Sequence, residues 1–408
     1  MRIHAYKALR PRADVVAQIA APPYDTVDTA ESAQLAEGNP MSFLHINHSE
    51  IDLPAGTNLY ADAVYAKAAE NLLNFKKNGW LISEDRPLMY LYAQTMGAHT
   101  QTGLVCCCHI DDYIKDVIKK HEFTRKDKED DRTKHTATIN ANIGPVFIAY
   151  RDVDAIRQAL APIPKKSAPI YDFVDELQVR HQVWAVENAA EIKKLFEEKV
   201  PVSYIADGHH RSASAVRVGS ERRAANPNHH GNEEYNWFLS VLFPASELKI
   251  LPYNRAVKDL NGLSADDFLK EIRAIFTVTE NADPSPKSPR NVSMYFGQKW
   301  YGLSWPEVKS SNPVDKLDVS TLQNGVLHPL LGIDDPRTNN RIKFIGGIRG
   351  PQELVRLVDQ KGFAVAFSMY PTTVDQLMAI ADAGQIMPPK STWFEPKLRT
   401  GLLSHELN

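Results

Sequence analysis

The chain has 408 residues, 43% of them hydrophobic and 24% charged, and a formal net charge of −3. That is globular composition, long enough for two domains around a large buried core. The slight negative charge argues against nucleic acid as a partner, and no apolar run reaches the ~18–20 residues of a membrane span. Met1-Arg2-Ile3-His4 is not followed by an apolar signal-peptide core, so a cytoplasmic location is expected.

In chain order, Ala21-Pro22-Pro23-Tyr24-Asp25 reads as a rigid extended turn, and Asp28 or Thr29 can cap the short helix after it. Residues 43–47 read as a strand and 59–79 as a helix stopped by Gly79. Residues 87–94 and 103–111 read as an antiparallel pair joined across 95–102. Cys106, Cys107 and Cys108 alternate faces on the second of these strands, so they cannot form a zinc site alone. Thr124 with Asp127 matches a helix-opening box. On that helix Arg125, Lys128, Arg132 and His135 fall on one side, and Asp127 and Asp130 on the other. Residues 145–150 and 181–186 read as strands, 152–160 and 189–199 as helices. The apolar run 200–206 reads as a buried strand, 211–225 as a helix of small residues and 237–244 as a strand. A helix at 264–275 precedes a proline-rich loop at 283–289, the best boundary region. Helix 318–330, strand 341–346, helix 351–359, strand 363–369 and helix 372–383 complete the alternation. The fold class expected is α+β (mixed α/β), divided into residues 1–250 and 251–408.

The chemistry concentrates in Asp207-Gly208-His209-His210-Arg211-Ser212. A strand that turns on Gly208 and opens a helix presents free N–H groups at its tip, and Arg211 adds a planar fork suited to phosphate oxygens. His209 and His210 can donate hydrogen bonds. They can also bind metal, although no HxH or HExxH spacing supports that, and His229-His230 reads as solvated loop. Glu122, before a helix carrying Arg125, fits a general base acting on a hydroxyl. Asp25, fixed by prolines, fits a base or a magnesium ligand, and Lys390 in the rigid loop Met387–Thr392 fits a phosphate or carboxylate contact. No Walker A, GxGxxG or GxSxG pattern occurs.

Four motifs in this order, Pro22-Pro23-Tyr24-Asp25, His121 to Thr136, Asp207 to Arg211 and Met387 to Lys397, resemble those of an uncharacterised bacterial and archaeal family, a domain of unknown function. Locally, Gly208 to Ala215 is similar to the G-x-x-R-x-x-A-A phosphate motif of the ParB/sulfiredoxin-like fold, and Asp207 to Arg211 to a motif of free-serine kinases in that superfamily. The resemblance implies a ParB/sulfiredoxin-like nucleotide-binding core with additional α/β elements. It implies that Asp207, His209, His210 and Arg211 contact phosphates or magnesium, and that a carboxylate elsewhere is the base, Glu122 ahead of Asp25.

The function expected is a kinase transferring a phosphoryl group from ATP or ADP, with Mg²⁺ held by Asp207, to a small hydroxyl-bearing acceptor, L-serine first. Arg211 and the 208–212 backbone, Ser212 included, would hold phosphates, with Arg125 and Lys390 neutralising charge. The alternative is a nucleotide-binding regulatory or nucleic-acid-associated ParB-like protein without small-molecule kinase activity. A sulfiredoxin-like redox role would need an exposed reactive cysteine.

Overall fold

In the computed structural model, which describes residues 1–408, Met89–Met96 and His99–His109 form an antiparallel hairpin with Met96 opposite His99. The turn is thus two residues rather than the eight expected. The mostly polar residues 95–96 and 99–102 hid the strand ends; Gln101 among them is buried, and it and Gln94 bond each other and the carbonyls of Pro396 and Lys397. Around this hairpin runs a nine-stranded mixed sheet. Its order is 118–119, 203–207, 146–150, 237–244, 99–109, 89–96, 179–186, 171–174, with Ile3–His4 also on 99–109. Two pairings are parallel, 203–207 with 118–119 and 237–244 with 146–150. Strands 146–150 and 203–207 are buried along nearly their whole length, which explains their continuous apolar runs.

Met1–Leu248 with Pro396–Asn408 make one compact unit, and Lys249–Glu395 make another. In the first, Ser404–Glu406 returns to pair with Ala8–Leu9 and with Ala141–Asn142, inside a four-stranded sheet. Helices Asp62–Lys77, Lys126–Ile139 and His209–Ala225 are the longest of this unit. The last two touch through Ser214, whose hydroxyl donates to the carbonyls of Glu129 and His210. The second unit is a six-stranded antiparallel sheet, order 277–280, 299–304, 291–296, 365–369, 253–257, 342–346, with helices Ala265–Ile275, Gly350–Lys361 and Val374–Asp382. The chain is mixed α/β.

Three expectations are corrected. Phe43–Asn47 is not a strand: Leu44–Asn47 is one helical turn, with Leu44 N–H donating to the Ser42 hydroxyl. A five-residue apolar/polar alternation does not separate the two states. Helix 318–330 is broken. An α-helical Asp318–Leu322 passes into a π turn over Gln323–Leu327, where Asn324-Gly325 weakens the helix. The Thr124–Asp127 box does not form: the helix begins at Lys126, and the Thr124 hydroxyl donates to Glu129 at 2.7 Å.

Candidate functional site

Strand Ser203–Asp207 slips register against Val146–Tyr150 between Ile205 and Asp207. Such a bulge bends a strand and re-aims the side chains beyond it. Gly208 follows at φ +96°, and helix His209–Ala225 begins at once, two residues earlier than the sequence predicts. The imidazoles therefore belong to its first turn, where N–H groups lack intrahelical partners. A Cβ on Gly208 would sit 3.1 Å from the Arg211 Cζ, so glycine lets Arg211 fold back over the turn.

Arg211 does fold back. Its Nη2 donates to Asp207 Oδ2 at 2.6 Å, its Nη1 donates to the Pro145 carbonyl, and Asp25 Oδ2 lies 3.8 Å away. Lys397 Nζ donates to the other Asp207 oxygen at 3.1 Å. Burial alone would raise the Asp207 pKa. Lys397 and Arg211 outweigh it and hold the carboxyl well below the usual carboxylate range. Burial would likewise weaken the Arg211 guanidinium, but Asp25 and Asp207 more than restore its charge. The fork expected to face a ligand is thus occupied by the protein, apart from Nε, which has no partner. Asp207, expected to hold Mg²⁺, has both oxygens on cations already. A divalent ion there would be a third positive group on one carboxylate.

A small cavity of about 40 Å³ lies beside Arg211, lined among others by Tyr24, Arg132, His135, Gly144 and Thr400. Arg132 sits over the Tyr24 ring at 4.4 Å and pairs with Asp131 at 2.8 Å. His135 Nε2 bonds the Ile46 carbonyl, and burial, with Arg132 adding, pushes its pKa down to about 3. Residues from three of the four motifs meet here, in a space of a few water molecules. The helix face predicted as basic is split. Arg132 and neutral His135 turn inward, while Arg125 is 71% exposed and paired with Asp127.

On the other side of the turn, His209 Nδ1 lies 3.9 Å from Glu122 Oε2, and the His209 and His121 rings meet edge to face, centroids 4.5 Å apart. His210 Nε2 accepts from the Arg125 N–H at 3.0 Å, so Arg125 enters the site through its backbone. Burial lowers the pKa of His121 to about 4 and depresses those of His209 and His210. Ser212 is fully buried, and its hydroxyl donates to the His209 carbonyl, a helix-internal role rather than a ligand contact. Lys390 belongs to the second unit, where its ammonium lies 5.6 Å from the Tyr253 ring centroid.

The family model described as "Protein of unknown function (DUF1015)" matches residues 3–320. The chain belongs to that family. No curated protein matches the sequence of this DUF1015 member. Similar solved structures include a free serine kinase variant in complex with AMP, 12% identical over 71% of this chain and 87% of that one, TM-score 0.37. Another is SbnI from Staphylococcus aureus with a C-terminal truncation, 10% identical over 72% and 85%, TM-score 0.37. A third is a conserved hypothetical protein from Pyrococcus furiosus, 13% identical over 72% and 92%, TM-score 0.34.

Sequence reasoning missed Lys397 and His121 in this DUF1015 chain, although both stand inside two of its four motifs. His121 adjoins Glu122, which was the available signal. Lys397 gave only its place at the end of the fourth motif, since its pairing with Asp207 spans 190 positions. All three cysteines are fully buried, and burial raises the thiol pKa of Cys106 and Cys107, which disfavours the reactive thiolate. No helix is long and apolar enough to cross a membrane.

Proposed function

We propose that this chain is a nucleotide-dependent phosphotransferase acting on the hydroxyl of a small molecule, with L-serine as first candidate acceptor. The observation that carries the reading is the opening of helix His209–Ala225. There a bulged strand, a left-handed Gly208 and two imidazoles bring N–H donors to one point, with Glu122 3.9 Å from His209. A helix N-terminus with unspent N–H groups favours phosphate oxygens. Burial keeps the imidazoles neutral, so each offers one N–H to a transferring group. Glu122, 54% exposed, can reach an acceptor arriving from solvent and take its proton.

The ion cluster changes the roles expected from sequence. Arg211, Asp207, Lys397 and Asp25 hold the turn in shape and tune its field, and the backbone of residues 209–211 and the imidazoles make the phosphate contacts. ATP or ADP is the donor in this reading, and Mg²⁺ arrives on the nucleotide phosphates instead of on Asp207. Phosphoryl transfer needs mainly positioning and charge stabilisation, which such a set supplies.

The test is incubation of the full chain with ATP or ADP, Mg²⁺ and a pool of hydroxyl-bearing amino acids, read by mass spectrometry. A phosphorylated acceptor is expected. Glu122→Gln should lower kcat by ~100-fold or more while nucleotide affinity stays within about twofold. Nucleotide binding without any phosphorylated product would favour the regulator instead.

A further inference from the structure

His121 and His209 form the least satisfied polar cluster around the turn. They are 2% and 6% exposed, and neither His121 ring nitrogen, nor Nε2 of His209, has a hydrogen-bond partner of good geometry. Nearly all buried polar atoms in proteins have a partner; His121 leans toward the Ile205 backbone and Nε2 of His209 has none, so two touching rings this poorly satisfied demand a reason. Ligand atoms of His121, Glu122 and His209 all lie within 4.8 Å of one another.

We propose that His121, Glu122 and His209 bind one divalent transition-metal ion of the zinc class. Two imidazole nitrogens and one carboxylate oxygen are a donor set that leaves coordination positions open, here toward the exposed Glu122 side. Tetrahedral ligation at ~2.0–2.2 Å places ligand atoms about 3.4 Å apart, so a cluster spanning up to 4.8 Å must draw in by up to about 1.4 Å. Glu122 is the solvent-facing ligand, 54% exposed, while His209 is fixed as the first helical residue and His121 is packed against it. Burial holds both rings in the neutral form that ligates. Two carboxylates act on this cluster, Glu122 within it and Asp207 beside both rings, with Arg211 opposing at His209. Mg²⁺, which prefers an oxygen shell, does not fit this nitrogen-rich set. Ligation through one Glu122 oxygen leaves the other for an acceptor hydroxyl, so the site is compatible with phosphotransfer but does not depend on it.

The experiment titrates chelator-treated full-length protein with Zn²⁺ against a chromophoric competitor, with nucleotide and acceptor absent. One Zn²⁺ per chain is expected, not displaced by a large excess of Mg²⁺. His209→Ala should weaken binding by ~100-fold and Glu122→Gln by about tenfold, with His230→Ala on the exposed loop unchanged. Glu122 is exposed, so its variant reports even where a histidine variant fails to fold. Absence of stoichiometric Zn²⁺ binding, or wild-type affinity in Glu122→Gln, overturns the site. Phosphotransfer by metal-free protein in a separate assay bears on the proposed function and not on the metal site, because the titration reads binding alone.

Discussion

Two polar clusters flank Gly208, and they are solved in opposite ways. On one side Asp207, Arg211, Lys397 and Asp25 satisfy one another in ion pairs at 2.6, 3.1 and 3.8 Å. On the other, His121 and His209 are more deeply buried than Asp207 or Asp25, and Nε2 of His209 has no partner. A buried charge must be compensated or it unfolds the site, so the first cluster is closed by the chain itself. A neutral imidazole tolerates burial without a partner at lower cost, so the second can be left open for something from outside. Similarity of residue type, basic and acidic groups around one turn, thus conceals a division between scaffold and binding surface.

The largest effect should come from breaking the closed cluster. Arg211→Ala leaves Asp207 on Lys397 alone and is expected to cost about 3–5 kcal/mol in urea unfolding. A loss under ~1 kcal/mol would show that the cluster is solvated rather than closed. Acid should separate the clusters next. His121 titrates near 4 folded against ~6.5 unfolded, so its contribution is complete above pH ~6.5 and is lost as pH falls toward 4, on the order of 3 kcal/mol. Asp207, depressed when folded, contributes above its unfolded value of ~3.9 and is lost only below it, as pH falls through its folded pKa. Thermal melts of metal-free protein across pH should therefore show a loss between 6.5 and 4 that His121→Asn reduces in part, the rest belonging to His135, His209 and His210. A slope unchanged in that variant would place the titration elsewhere. The smallest effect belongs to Glu122→Gln, which should shift stability by less than ~0.5 kcal/mol because the side chain is largely solvated. A larger loss would mean that Glu122 is structural.

Much of the local structure was legible. Helix Ala189–Lys199 and strand Trp237–Pro244 end where the sequence predicts, because one has clear helical periodicity and the other an apolar run broken only by Ser240. The turn at Gly208 was legible too, since Asp-Gly after an apolar strand has few other uses. Polar strand ends were not: Gln101 looks solvated in sequence and is buried against Gln94 and the returning C-terminus. The inward turn of Arg132 and His135 was half visible, as a shared helix face, but not the cavity that they line.

The amino-acid order by itself determined the backbone of the site: strand, left-handed glycine, the helix that follows, and the residue types gathered there. Those follow from φ/ψ preferences and apolar runs, which act over a few residues. Only the tertiary structure decided that Lys397 meets Asp207, that Arg211 is consumed internally and that His121 faces His209. Ion pairing and desolvation depend on distance and burial in space, and neither is written in the separation of residues along the chain.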